Sequence, residues 1–278
     1  MPDPVRIIAL DLDGTLLNSA KELSSANLAA LKRAADAGIE IVPTTGRFYG
    51  AMPQVIRDLP FIHYAITING AQVADLRTGE ILYRAEMPWQ QAVDLMEFLD
   101  PQPVIYDCYM DNDAFMTAAL KERIDEMVSS PHYRKMIREL RKPVPELKAF
   151  LTERGHDVQK VQFFTDKPEL WAQMMKELPE RFENLCVSSS VSDNVEINQI
   201  HANKGEALYA LADHLGVERE ATLAFGDGLN DLSMLKAAGI GVAMANASPA
   251  CLAAADLVTG HHDEDGLAQG IYQLLEDN

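Results

Sequence analysis

The first apolar run, Val5–Leu10, is interrupted only by Arg6 and stops at Asp11-Leu12-Asp13-Gly14-Thr15. A run this short and this apolar reads as a strand buried on both faces. Leu28, Leu31 and Ala35 then recur at helical spacing behind Ser24 or Ser25. They predict a capped helix, with Gly38 just past its end. Ile39–Thr44 is a second buried strand, ending in Thr44-Thr45-Gly46-Arg47. After a short helix, Tyr64–Ile68 is a third, ending in Asn69-Gly70. Strands of this kind alternating with helices predict an α/β core, a parallel sheet with helices on both faces. Gln72–Met87 follows as a hairpin turning at Arg77-Thr78-Gly79.

The pattern changes near Pro88. Helical stretches (Trp89–Leu99, Ala118–Val128, Lys167–Leu178) mix with strand-like runs (Val104–Tyr109, Val158–Thr165, Leu185–Ser190, Val195–Ile197). This grouping predicts an inserted α+β domain with an antiparallel sheet. Pro131–Pro145, basic and punctuated by proline, reads as a surface connection. From Lys204 the α/β alternation returns: a helix Lys204–Leu215 closed by Gly216, a strand Thr222–Phe225 and a helix Asn230–Ala238 closed by Gly239. A strand Ile240–Ala245 follows, then a helix opened by Ser248-Pro249. The expected organisation is a core split between residues 1–87 and 199–278, with residues 88–198 inserted.

The 278 residues are 47% hydrophobic, enough for sizeable cores. No apolar run reaches the roughly 18 residues of a membrane span. Met1–Arg6 lacks the basic and apolar regions of a leader. Cys108, Cys186 and Cys251 are few and widely spaced, as reduced thiols of a cytoplasmic protein would be. A net charge of −18 argues against nucleic acid or an anionic membrane as partner. An anionic substrate would need local attraction, from a metal ion and a few placed cations.

Chemistry concentrates at strand ends and helix starts: Asp11 and Asp13; Thr45-Gly46-Arg47; Lys204; and Gly226-Asp227-Gly228-Leu229-Asn230-Asp231. Ligand sites of open α/β sheets lie at the carboxyl ends of strands. Carboxylates there can hold a hard cation, attack an electrophile or move a proton. Taken singly, each has a plainer reading: the aspartates and Asn230 as caps, Lys204 and Arg47 as surface charges. Thr44 rivals Thr45 as the functional hydroxyl.

Together these motifs resemble the haloacid dehalogenase (HAD) superfamily, and their spacing with the mid-chain insert resembles its Cof-type branch with a C2B cap. The resemblance spans the chain and implies a Rossmann-like core and a cytoplasmic phosphomonoester hydrolase. By that resemblance Asp11 attacks phosphorus and forms an aspartyl phosphate. Asp13 protonates the leaving group and then activates water, which calls for a raised pKa. Asp227 joins the Asp11 carboxylate and the Asp13 carbonyl around Mg2+, with Asn230 and Asp231 orienting the site from behind. Thr45 and Gly46 receive the phosphoryl oxygens, and Lys204 supplies positive charge. Arg47 and Asn69 touch the substrate. The implied substrate is a small phosphorylated metabolite such as a sugar phosphate, with the cap closing over it and reading the leaving group. The same residues would serve a sugar phosphomutase, or remain on a non-catalytic metabolite-binding or regulatory protein. Ala245 stands where many relatives carry glycine.

Other features take simpler readings. His261-His262-Asp263-Glu264-Asp265 lacks helical ligand spacing and reads as a solvated loop. Tyr106, Tyr109 and Phe115 read as half-buried strand aromatics, and Met234 and Met244 as core.

Overall fold

A computed structural model describes residues 4–276; Met1–Asp3, where the stretch read for a leader begins, and residues 277–278 lie outside the description. In chain order the strands are β1 (Ile7–Leu10), β2 (Glu40–Pro43), β3 (Tyr64–Thr67), β4 (Gln72–Asp75) and β5 (Ile81–Arg84). Next come β6 (Ile105–Met110), β7 (Asp113–Thr117), β8 (Arg141–Val144), β9 (Lys160–Phe164), β10 (Leu185–Ser188) and β11 (Asn194–Gln199). The last are β12 (Thr222–Gly226), β13 (Ile240–Ala243) and β14 (Leu257–Val258). The chain divides into two compact units. One holds the residues through Arg47, Met52–Arg84 and those from Asn203 on; the other holds Phe48–Ala51 and Ala85–Ala202. Residues 85–87 and 199–202, expected with the first domain, thus group with the second, as does Phe48–Ala51.

In the first unit the sheet order is β14-β13-β12-β1-β2, all parallel. Leu10 lies opposite both Phe225 and Pro43, so β12, β1 and β2 end at nearly the same level. Asp11, Thr44-Thr45 and Asp227 follow those ends directly. β3 departs from expectation. It touches the parallel sheet through a bridge from Thr44 to Ile66 and otherwise pairs antiparallel with β4, the first strand of the hairpin. The Lys204–Leu215 helix buries Ala207, Leu208 and Leu211 in a core with Ile7, Val42, Ile66 and Ala224. On the opposite face the Gly266–Glu276 helix lies against Phe225, whose ring a Cβ at Gly270 would meet at 2.7 Å. The Ser25–Asp36 helix packs beside it and is capped by Ser24, whose side chain accepts the Asn27 N–H. Its buried face is Asn27, Ala30, Leu31 and Ala34, and Leu28 is exposed.

The second unit is a six-stranded sheet ordered β10-β11-β9-β6-β7-β8. It is antiparallel except for the pairing of β7 with β8. Residues of one parity (Tyr106, Cys108, Val161, Phe163, Val195, Ile197) form an apolar core with residues of the helices Trp89–Leu99, Leu147–Arg154 and Pro168–Arg181. The other parity carries a small apolar cluster (Ile105, Met116, Phe164) and a buried charged network. There Arg141 pairs with Asp107 at 3.0 Å and donates to the Tyr109 hydroxyl at 2.7 Å, while Lys160 pairs with Glu196 at 2.8 Å. The expected surface connection is corrected here. Pro131–Leu140 is a helix with Ser130 as N-cap and Pro131 at its start, and Arg141–Val144 is a sheet strand. Ile137 anchors that helix in the small cluster.

Candidate active site

The carboxyl ends of β1, β2 and β12 bring Asp11, Thr45 and Asp227 to one edge of the first unit, and the Lys204 helix start meets them there. Lys204 is fully buried, with its ammonium 2.6 Å from Asp11 Oδ1 and 2.6 Å from Asp231 Oδ1. Its position follows from Asn203, whose side chain accepts the Glu206 N–H and caps the helix that Lys204 begins. Burial opposes charge on Lys204, but Asp11 and Asp231 outweigh it and hold the ammonium above the usual lysine range.

Asp231 is a hub. One oxygen takes Lys204; the other accepts the Asp227 and Gly228 N–H groups at 2.9 and 2.8 Å. Asp227 is also fixed by Thr15, whose hydroxyl donates to its Oδ1 at 2.8 Å. Gly14 makes that approach possible. Its φ is +97°, and a Cβ there would lie 2.4 Å from Asp227 Oδ2.

Carboxylate oxygens of Asp11, Asp227 and Asp231 lie within 4.8 Å of one another. Burial pushes Asp11 well above the usual carboxylate range; Lys204 pulls it back, and the neighbouring acids push it further. Burial, then repulsion from Asp231, raises Asp227 to about 7 despite the Thr15 bond. One ammonium does not neutralise so many close acids, and the group has the donor set of a hard divalent cation.

Asp13 corrects the sequence reading. Its carboxylate turns to Arg47, which contacts both oxygens at 2.8 Å, and to Lys21 at 2.9 Å. Burial alone would raise its pKa. Arg47 and then Lys21 overcome that and hold it well below the usual carboxylate range, the reverse of the expectation.

Thr44 and Thr45 differ in what their hydroxyls meet. The Thr44 hydroxyl donates to the Val42 carbonyl at 3.1 Å, whereas the Thr45 hydroxyl accepts the Arg47 N–H at 3.2 Å. Gly46 lies between Thr45 and Arg47 in the same turn. The Asn69 N–H donates to the Thr45 carbonyl at 3.0 Å, and Asn230 donates to the Asn69 side chain at 3.1 Å. Asn69 and Ile68 are both left-handed, with φ of 59° and 54°. For the β-branched Ile68 this is a strained conformation beside the site.

Thus Asp11, Lys204, Asp227 and Asp231 converge, Asp13 and Arg47 pair beside them, and Asn69 and Asn230 bond to each other. Thr15 had no role in the sequence reading, although it follows the aspartates directly. Lys21 carried no signal, being one lysine in a polar turn.

Residues 8–271 match the haloacid dehalogenase-like hydrolase family. The chain is 32% identical to "Phosphatase YwpJ" of Bacillus subtilis (strain 168), covering 98% of this chain and 100% of that protein. It is 33% identical to "Pyridoxal phosphate phosphatase YbhA" of Escherichia coli (strain K12), covering 97% and 98%. A solved structure of a haloacid dehalogenase-like hydrolase from B. subtilis superposes with a TM-score of 0.85 at 30% identity, covering 98% of this chain and all 100% of the other.

Proposed function

We propose, from the premise that this chain belongs to the haloacid dehalogenase-like hydrolase family and is a Cof-type phosphatase, that it hydrolyses small phosphomonoesters through a phosphoryl group carried on Asp11. The observation that carries this reading is Lys204, buried and shared between Asp11 and Asp231. It holds one oxygen of the nucleophile and leaves the other for attack on phosphorus. Asp11 displaces the leaving alkoxide, which takes a proton from Asp13. Water then attacks phosphorus, gives its proton to Asp13 and releases inorganic phosphate, restoring the Asp11 carboxylate.

Asp13 as it stands is ionised and suited to the second step. For the first it must gain a proton, so the Arg47 guanidinium has to leave it. A phosphoryl or leaving-group oxygen is the natural exchange partner for that guanidinium. Thr45 and Gly46 face the phosphoryl oxygens, and Asn69 and Asn230 brace the adjoining turn. Asp11, Asp227 and the Asp13 carbonyl would hold Mg2+, with Asp231 fixing Asp227 from behind. When bound, the ion supplies positive charge that offsets repulsion between carboxylate and phosphate.

The substrate class is a small phosphorylated metabolite. Phosphate release from a panel of sugar phosphates and pyridoxal phosphate, with Mg2+, tests the reading. Activity on several members, abolished in Asp11→Asn, is expected. Silence across the panel, or full activity in Asp11→Asn, overturns it.

A further inference from the structure

The His261-His262-Asp263 stretch, read from sequence as a solvated loop, assembles into a compact cluster. His262–Glu264 is a single 3-10 turn with His261 before it. One ligand atom from each of His261, His262 and Asp263 lies within 4.8 Å of the others. The two imidazoles lie against each other at a tilt of 37°, with centroids 4.7 Å apart.

His262 is the fixed member. Its side chain is 12% exposed, and its Nδ1 lies 2.9 Å from the Leu17 carbonyl oxygen. A carbonyl only accepts, so Nδ1 carries the proton and Nε2 is the ring nitrogen left to meet a cation. Metal-binding histidines are held by this kind of contact. Nε2 faces Asp263 Oδ2 at 3.7 Å, too far for a hydrogen bond. Asp263 is held in turn by Ser19, whose N–H donates to Oδ1 at 2.7 Å and whose hydroxyl donates to Oδ2 at 2.6 Å. His261 Nδ1 lies 3.8 Å from the same Oδ2 and accepts the Asp263 N–H at 3.1 Å.

Size and softness select the ligand. Bonds of about 2.0–2.1 Å in a tetrahedral site place neighbouring ligand atoms roughly 3.4 Å apart. The separations of 3.7 and 3.8 Å need to contract by only a few tenths of an ångström. Mg2+ prefers oxygen and retained water, whereas imidazole suits zinc, copper and nickel.

We infer that His262 Nε2 and Asp263 Oδ2 form a binding site for a zinc-class cation, with His261 exchanging its hydrogen bond to become the third ligand. The site is anchored to the segment after Asp13. Asn246 accepts the His262 N–H at 3.1 Å and donates to the Gly14 carbonyl at 2.8 Å. A bound ion would therefore fasten Gly14–Ser19, the segment whose Thr15 orients Asp227.

Calorimetric titration of the full chain with Zn2+, in saturating Mg2+, tests this. One equivalent is expected to bind, to persist in Asp227→Asn and to weaken at least about tenfold in His262→Ala. Asp263→Asn keeps the ring's contact with Leu17 and is expected to weaken binding as much; a wild-type melting temperature in chelator shows that it folds. Absence of Zn2+ binding, its loss in Asp227→Asn, or its survival in both folded cluster variants overturns the inference.

Discussion

Lys204→Met replaces the buried ammonium with an apolar chain of similar length. Asp11 and Asp231 then lose a shared cation at 2.6 Å each and remain enclosed. Removing one partner of a buried pair costs about 3–5 kcal/mol when the remaining charge is trapped. A carboxylate escapes part of that cost by taking up a proton, and Asp11 is already raised by burial. The loss should therefore depend on pH. With Lys204 gone, the folded pKa of Asp11 rises further above the unfolded value of about 4, so the folded state holds a proton the unfolded state has released. The deficit is then small near pH 5 and approaches its full size near pH 8. For a chain of 278 residues, about 3–5 kcal/mol corresponds to a fall in Tm of roughly 5–9 °C. Thermal melts of wild type and variant in chelator, at a series of pH values, measure it directly. An unchanged Tm at pH 8, or a deficit larger at pH 5 than at pH 8, would refute the assignment of Lys204 as the counter-charge of this cluster.

Three further outcomes are expected. Because the pKa of Asp227 is raised to about 7, its protonation favours the fold at low pH, and that contribution is lost as pH rises from about 4 through 7. Chelated protein should lose stability across that window, and Mg2+ should restore it; a flat profile by calorimetry contradicts this. Gly14→Ala places a Cβ against Asp227 at a φ of +97°, and should raise the Mg2+ concentration for half-maximal activity about 10–100-fold, read from metal titrations. Thr44→Val should leave kcat within about twofold and cost about 1–2 kcal/mol in denaturant melts, whereas Thr45→Val should lower kcat about 10–100-fold; equal effects on activity would remove the distinction between the two hydroxyls.

The core was legible because its strands carry their own signature. Ile7–Leu10 and Thr222–Gly226 are apolar or small throughout, as a strand covered on both faces must be, and each ends in an acid. That pattern located Asp11 and Asp227 before their register was known. Long-range pairing was not legible. Pro131–Pro145 reads as a connection from its prolines and basic residues, although Tyr133, Met136, Ile137 and Leu140 recur at helical spacing behind Ser130-Pro131, the local signal of the helix that buries Ile137. Arg141 looks like a surface charge until Asp107 and Tyr109 arrive from a strand far away in sequence. The state of Asp13 was misjudged for the same reason. Its motif calls for an acid, but its proton is governed by Lys21 and Arg47, whose approach is a property of the fold. The convergence of His261, His262 and Asp263 was likewise not legible, since helical ligand spacing says nothing of a 3-10 turn anchored by Leu17 and Ser19.

The central claim is that phosphorus passes through Asp11. Asp13→Asn offers the most direct test, with p-nitrophenyl phosphate as substrate, because this leaving group departs without a proton while release of the enzyme-bound phosphoryl group still needs a base. Acid-quenched variant protein should carry one phosphoryl group, located by peptide mass spectrometry on Asp11 and absent when Asp11→Asn is added. A variant that turns over without phosphorylated protein, or carries the group on another residue, contradicts the account.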